Sequence, residues 1–255
     1  MKWYLINTGF NTGKYNMDFD IQLAGKAFDN QAFLRFYRWN PYCISLGANQ
    51  KFEDIDSKKA ELCGLDIVKR PTGGRAILHA EELTYSVVIP TSAQISSTEI
   101  YRRVSLAIVS GLRHYNSLLN KVELETIQPN FADLLKNPSG MVCFGSTAKS
   151  EVKFNGLKLI GSAQRKMGHV ILQHGSILCG DFHLKLAEFL NLPDDQSTFI
   201  KKEMISKTID LKNILNLEID YDMLTEYITK GFESEFGIEF ENVVPDNIIY
   251  DTITL

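Results

Sequence analysis

The order in which strand-like and helix-like stretches follow one another limits the folds open to this chain more than any other feature. Strand patterns occur at Lys2–Ile6, Phe33–Trp39, Cys43–Leu46, Leu65–Lys69, Leu83–Ile89, Ser150–Phe154, Lys158–Ser162 and Val170–Leu178. Helical spacing marks Asn16–Phe28, where Met17, Ile21, Ala24 and Phe28 share a face. It recurs at Ser57–Cys63 behind the N-cap Asp56, and at Ser97–Tyr115, with Ile100, Val104, Ile108, Leu112 and Tyr115 in phase. A last helix, Tyr221–Phe236, lies between its cap Asp220 and its stop Gly237. Strands come in runs and do not alternate regularly with helices. That order predicts an α+β (α/β) fold, a mixed central β-sheet flanked by helices. Asn155-Gly156, between Glu151–Phe154 and Leu157–Ile160, predicts a two-residue hairpin turn. The polar, lysine-rich stretch Leu192–Lys207 reads as a surface connection. Residues 1–255 are expected to form a single catalytic domain, with helices at about 183–240 packed on it or forming a small annex.

Charge and cysteine content exclude several functions. The formal net charge of −4 leaves no basic footprint, so no nucleic acid partner is expected. No apolar run reaches the roughly 18 residues of a membrane span. The first residues are too briefly apolar for a secretory signal, and a cytoplasmic location is expected. Cys43, Cys63, Cys143 and Cys179 are widely spaced without a C-x-x-C pair, which argues against a zinc ribbon or a redox dithiol. Cys43 and Cys179 lie in apolar runs and Cys63 ends a helix, so these three read as structural. No metal site is expected, since no Cys/His cluster or i, i+4 histidine pair occurs. Neither glycine-rich nucleotide motif nor a G-x-S-x-G elbow is present.

Candidate chemistry starts at the run from Lys69 to His79. Gly73 and Gly74 lie between Arg70 and Arg75, after Thr72. Glycine pairs let a ligand approach the backbone closely, and flanking cations favour a developing negative oxygen. A solvated hairpin is the plain alternative. Cys143 follows a loop-like stretch, and a thiolate held by a cation becomes a nucleophile. The hairpin at Asn155-Gly156 can return Lys158 toward it; the alternative is a solvated hairpin lysine beside a buried cysteine. His79 and His174 are candidate bases, although no carboxylate stands at a spacing that orients either. Gly161, Ser162, Ala163 and Gln164, with His174, Gly175 and Ser176, combine small residues with polar donors, which suits a slender chain lying along the backbone.

Together these segments resemble the biotin/lipoate protein ligase superfamily, and within it the octanoyltransferases. The stretches that carry the resemblance run in family order. They are Asn16-Met17…Asp20, Leu34–Pro41, Gly47…Gln50, Arg70–Arg75…His79, Glu82–Ser86, Val142-Cys143-Phe144, Lys158…Gly161–Gln164 and Ile171–Ile177. The family often has an acidic residue directly after the histidine of the Gly-Gly motif; here Ala80 stands there, with Glu81 and Glu82 next. The resemblance implies that Cys143 attacks an octanoyl thioester and that Lys158 assists, with the acyl chain held between the Gly-Gly turn and the lysine strand. It implies octanoyl-acyl-carrier protein as donor and a lysine of a lipoyl-domain protein (GcvH or E2) as acceptor. No cofactor is then required. An ATP-dependent lipoate–protein ligase on the same fold would need ATP and Mg. A third reading is a non-catalytic protein that binds a lipoyl domain or acyl carrier.

Overall fold

The computed structural model describes residues 1–27, 30–125 and 150–243; Phe28 and Cys143 lie outside the described residues. In chain order the strands are β1 (Lys2–Asn11), β2 (Gln31–Trp39), β3 (Cys43–Leu46), β4 (Asp66–Lys69), β5 (Ile77–His79) and β6 (Glu82–Pro90). They continue as β7 (Val122–Leu124), β8 (Val152–Phe154), β9 (Leu157–Lys158), β10 (Ile160–Met167), β11 (Val170–Leu178) and β12 (Phe240–Asn242). The helices are α1 (Gly13–Lys26), α2 (Ser57–Leu62), α3 (Ser97–Tyr115), α4 (Asp194–Lys207), α5 (Leu211–Leu215) and α6 (Tyr221–Phe236). A 3-10 stretch covers Phe182–Phe189.

The main sheet runs β10-β11-β6-β2-β1-β12. Its first four strands are antiparallel neighbours, while β1 pairs in parallel with both β2 and β12. This is the mixed sheet with flanking helices that the strand order predicts. Alternation along β6 divides its faces. Leu83, Tyr85, Val87 and Ile89 join the core built with α3 and α6. On the opposite face Val88 packs with Phe19, Leu23 and Ala24 of α1. Ser86 on that face bonds Asp20 of the same helix. A small sheet, β4-β3-β5, carries a second core in which Ile44, Leu46 and Leu78 meet Ala60, Phe189, Ile200 and Met204.

Two sequence expectations are corrected. Leu192–Lys207 is not a plain surface connection: Asp194–Lys207 is helix α4, with acidic residues in its first turn, Lys207 in its last, and Ile200 and Met204 buried. A largely solvated helix with so few inward apolar positions has little periodic signal to read. The strand expected over Lys158–Ser162 breaks at Leu159. That residue donates to Val152 O of the β7-β8-β9 sheet and accepts from Leu178 of the main sheet, at 3.0 and 3.2 Å. The chain therefore changes sheets one residue after Lys158. Cys43 and Cys179 are buried as expected, but Cys63 is exposed. The turn ending α2 leaves its side chain in solvent.

Candidate active site

Helix α1 begins behind Thr12, whose hydroxyl caps Tyr15 N, and its inner face carries Asn16, Met17 and Asp20 across the sheet. Asp20 is fully buried and collects donors from three strands. Arg35 Nη1 lies 2.7 Å from Oδ1 and Ser86 Oγ 2.8 Å; Tyr37 Oη lies 3.1 Å from Oδ2 and His174 Nδ1 3.3 Å. Burial raises the Asp20 carboxyl, but Arg35 and His174 outweigh it and hold the group below its ordinary value. His174 Nε2 in turn lies 2.6 Å from Thr72 Oγ1. Burial pushes the His174 imidazole down, against the pull of Asp20. A neutral ring with its proton on Nδ1 satisfies both contacts: it donates to Asp20 and accepts from Thr72.

A second network is built on Glu82. Its Oε1 accepts from Thr84 Oγ1 at 2.6 Å, Ser176 Oγ at 2.7 Å and His79 Nδ1 at 2.8 Å. Burial raises this carboxyl, and the His79, Thr84 and Ser176 contacts bring it below its ordinary value. His79 stacks on Trp39 with ring centroids 4.1 Å apart. Its Nε2 is 2.7 Å from Ser45 Oγ, which also accepts from Arg70 Nη1 at 3.1 Å. A hydrogen-bonded chain thus runs from the Arg70 guanidinium through the Ser45 hydroxyl and the His79 imidazole to the Glu82 carboxylate. The sequence expectation that no carboxylate orients either histidine is corrected by both networks. Glu82 is three residues beyond His79 and reaches it because the chain turns back between β5 and β6. Asp20 is 154 residues from His174, and no spacing along the chain could reveal it.

The two networks meet at one cleft. Its polar wall includes Arg70, His79, His174 and Ser176, and its backbone wall is Gly161, Ser162 and Ala163 of β10 with Gly175 of β11. Its apolar wall is Met17, Tyr37, Trp39 and Ile77. A Cβ on Gly175 would lie 2.7 Å from Gly161 O, so that strand position must stay bare for β10 and β11 to sit as they do. Thr72 reaches the cleft through His174. Gly73, Gly74 and Arg75 shape the adjoining loop: Arg70 donates to Gly73 O and Arg75 O, closing the turn on itself. Gly74 has φ +91°, and its carbonyl packs so closely on Gly47 that any side chain at Gly47 would collide with it. Gln164 turns away from the cleft, its amide donating to Ser97 O and Gln173 Oε1.

Lys158 is not a solvated hairpin lysine. It is 1% exposed, and its Nζ lies 2.8 Å from Oε1 of Glu151, which is 4% exposed. The predicted turn is present, with Asn155 and Gly156 both at positive φ. Lys158 itself is not on the cleft wall; three residues later its chain enters the wall as Gly161. Cys143 lies outside the described residues. Sequence reasoning missed Ser45, Glu82 and Glu151. Ser45 carries one signal, a polar residue between the apolar strand residues Ile44 and Leu46; Glu82 and Glu151 follow the polar residues Glu81 and Ser150 and carry none. Among the described residues no group of three His, Cys, Asp or Glu could hold a metal, and no helix is long and apolar enough to cross a membrane.

The lipoyl protein ligase A/B catalytic domain family matches residues 12–233. The octanoyltransferase LipM of Clostridioides difficile is 35% identical over 249 residues, covering 94% of this chain and 89% of that protein. The LipM of Anoxybacillus flavithermus is 33% identical, covering 97% and 92%. Among solved structures, a bi-partite lipoate protein ligase from Thermoplasma acidophilum superposes with a TM-score of 0.76 at 19% identity, covering 98% of this chain and 91% of that one. Lipoate-protein ligase A bound with ATP gives 0.75 at 18% identity, covering 98% and 94%. The structures bear on the fold and the sequences on kinship: the chain belongs to the lipoyl protein ligase A/B catalytic-domain family, among relatives that are LipM-type octanoyltransferases.

Proposed function

We propose that this protein is an octanoyltransferase of protein lipoylation, which moves an octanoyl group from octanoyl-acyl-carrier protein to a lysine of a lipoyl-accepting protein (GcvH or an E2 lipoyl domain). The observation that carries this reading is identity of 33–35% to LipM octanoyltransferases along nearly the whole chain. The cleft supports it. An octanoyl tail has no hydrogen-bonding groups, and Met17, Tyr37, Trp39 and Ile77 offer it an apolar wall. At about 0.8 kcal/mol per methylene, full burial of its seven carbons beyond the carbonyl contributes about 6 kcal/mol of binding.

In this reading the Cys143 thiolate attacks the thioester carbonyl carbon, the carrier's C–S bond breaks, and the carrier thiolate leaves and takes up a proton. The octanoyl group is then a thioester on Cys143. The uncharged ε-amine of the acceptor lysine attacks that carbonyl, the amide forms, and the Cys143 thiolate leaves while the amine gives up one proton. The first exchange is nearly balanced in energy and the second runs downhill, so no ATP is consumed. Lys158, buried and ion-paired, acts as a fixed positive charge toward the thiolate and the tetrahedral oxyanion.

Incubation with octanoyl-acyl-carrier protein without ATP, followed by intact mass measurement, tests this directly. The expected result is a gain of one octanoyl group that is absent in Cys143→Ala and is passed to a lipoyl domain. ATP-dependent modification of the lipoyl domain that survives Cys143→Ala would overturn it in favour of a ligase. Lipoyl-domain binding without transfer would leave a binding protein.

A further inference from the structure

The Lys158–Glu151 pair is buried in the β8–β9 hairpin, and its geometry is fixed from both ends. Glu151 accepts Glu125 N through its own carbonyl at 2.8 Å, which ties its backbone to the end of β7. The Lys158 carbonyl accepts Ile209 N at 3.0 Å, and Lys158 bridges Thr208 in parallel. These contacts fix the two backbones, and at 1% and 4% exposure both side chains are withdrawn from bulk solvent. An ammonium removed from water is costly unless an anion compensates it, and unpaired it sheds its proton instead. It has three donors, one of which is committed to Glu151 Oε1. Ionisable groups on neighbouring elements include Lys153 paired with Glu125 across β7 and β8, and His183 beside Asp210 near Thr208.

From this arrangement we infer that Glu151 is the positioning residue of the reaction: its carboxylate aims the Lys158 ammonium and keeps it charged while Cys143 is acylated. The inference rests on the proposed role of Lys158 and adds what sets that role. It also decides how the lysine works. An ammonium held by a buried carboxylate serves as a standing charge and hydrogen-bond donor, whereas a lysine desolvated without a partner would serve as a base. Glu151 needs no contact with substrate to do this.

The test compares Glu151→Gln, Glu151→Asp and Lys158→Met, with acylation of Cys143 by octanoyl-acyl-carrier protein followed by mass, and kcat and KM measured across pH. In Glu151→Gln, kcat is expected to fall about 100-fold, the scale of losing one preorganised charge donor. KM for the donor is expected to stay within about twofold, since the acyl cleft is untouched. The basic limb of its pH profile is expected to move to lower pH, because the Glu151 charge beside the ammonium is removed. Glu151→Asp keeps the charge one methylene further back; it is expected to keep the parent's basic limb at a reduced kcat. A folded Glu151→Gln with the parent's kcat and basic limb overturns the proposal. If Glu151→Gln does not fold, Glu151→Asp decides, and parental kcat there overturns it. Full acylation in Lys158→Met removes the role of the lysine and this inference together. Loss in Lys158→Met with no change in Glu151→Gln removes Glu151 alone.

Discussion

Asp20 shows how much one buried carboxylate can organise. It neutralises Arg35, whose guanidinium lies 4.0 Å over the Tyr37 ring and 4.4 Å over Phe19 and also donates to Asn16 and Thr8. Replacing it by asparagine keeps the shape but leaves Arg35 as an uncompensated buried cation. Such a change costs about 3–5 kcal/mol. Asp20→Asn is therefore expected to lower the urea unfolding midpoint sharply, and a loss below about 1 kcal/mol would mean that Arg35 finds its counter-charge elsewhere. Asp20 lies in a stretch that carries the family resemblance, yet nothing in that stretch says that it holds His174. His79 is likewise oriented from another element: the residue after it is Ala80, and the carboxylate on its Nδ1 is Glu82 of the next strand.

At the level of elements, the turn after β3 and the Gly-Gly loop after β4 pack backbone on backbone. Ala48 N donates to Thr72 O at 2.9 Å, and Gly47 lies against the Gly74 carbonyl. Adding a methyl at Gly47 forces the loop, and with it Arg70 and Thr72, away from the cleft. Displacements near 1 Å at a positioning loop cost on the order of 100-fold in rate. Gly47→Ala is expected to lose kcat/KM by 10- to 100-fold while its circular dichroism spectrum stays parental; unchanged kinetics would show that the loop's position is immaterial. Elements with local signals are legible in the sequence. Asp56, Ser96 and Asp220 cap α2, α3 and α6, and Gly237 ends α6 in the left-handed conformation. Helix α4 was not legible, because its inward face is two residues wide in a polar stretch.

Over the described residues the buried histidines His174 and His183 and the buried carboxylates Asp20 and Glu82 act on stability in one direction as the solution is acidified. Burial holds His174 and His183 below their ordinary value of 6.5. The unfolded chain therefore takes up protons there before the folded one, and stability is lost as pH falls below that value. Asp20 and Glu82 lie below their ordinary 3.8 and 4.5, so the stability they contribute is present above those values and is lost as pH falls on through the folded values. The melting temperature is expected to decline between about pH 6.5 and 5 and more steeply below about 4.5. Calorimetry over that range checks it, and a melting temperature that rises on acidification contradicts the assignment of these groups as buried and depressed.

Caps, the Asn155-Gly156 turn, the helix stop at Gly237 and the run of strands are all written in neighbouring residues, because each depends on interactions within a few positions of the chain. The mixed sheet and the family follow from those signals and from the ordered motifs. The pairings that make the site do not. Asp20 meets Arg35 and His174 because α1 lies across β2, β6 and β11, an adjacency set by the strand order of the sheet. Glu151 meets Lys158 because Lys158 turns back on its hairpin one residue before the chain changes sheets. Burial then gives both meetings their strength, since a charge taken out of water must find its partner wherever the packing puts one.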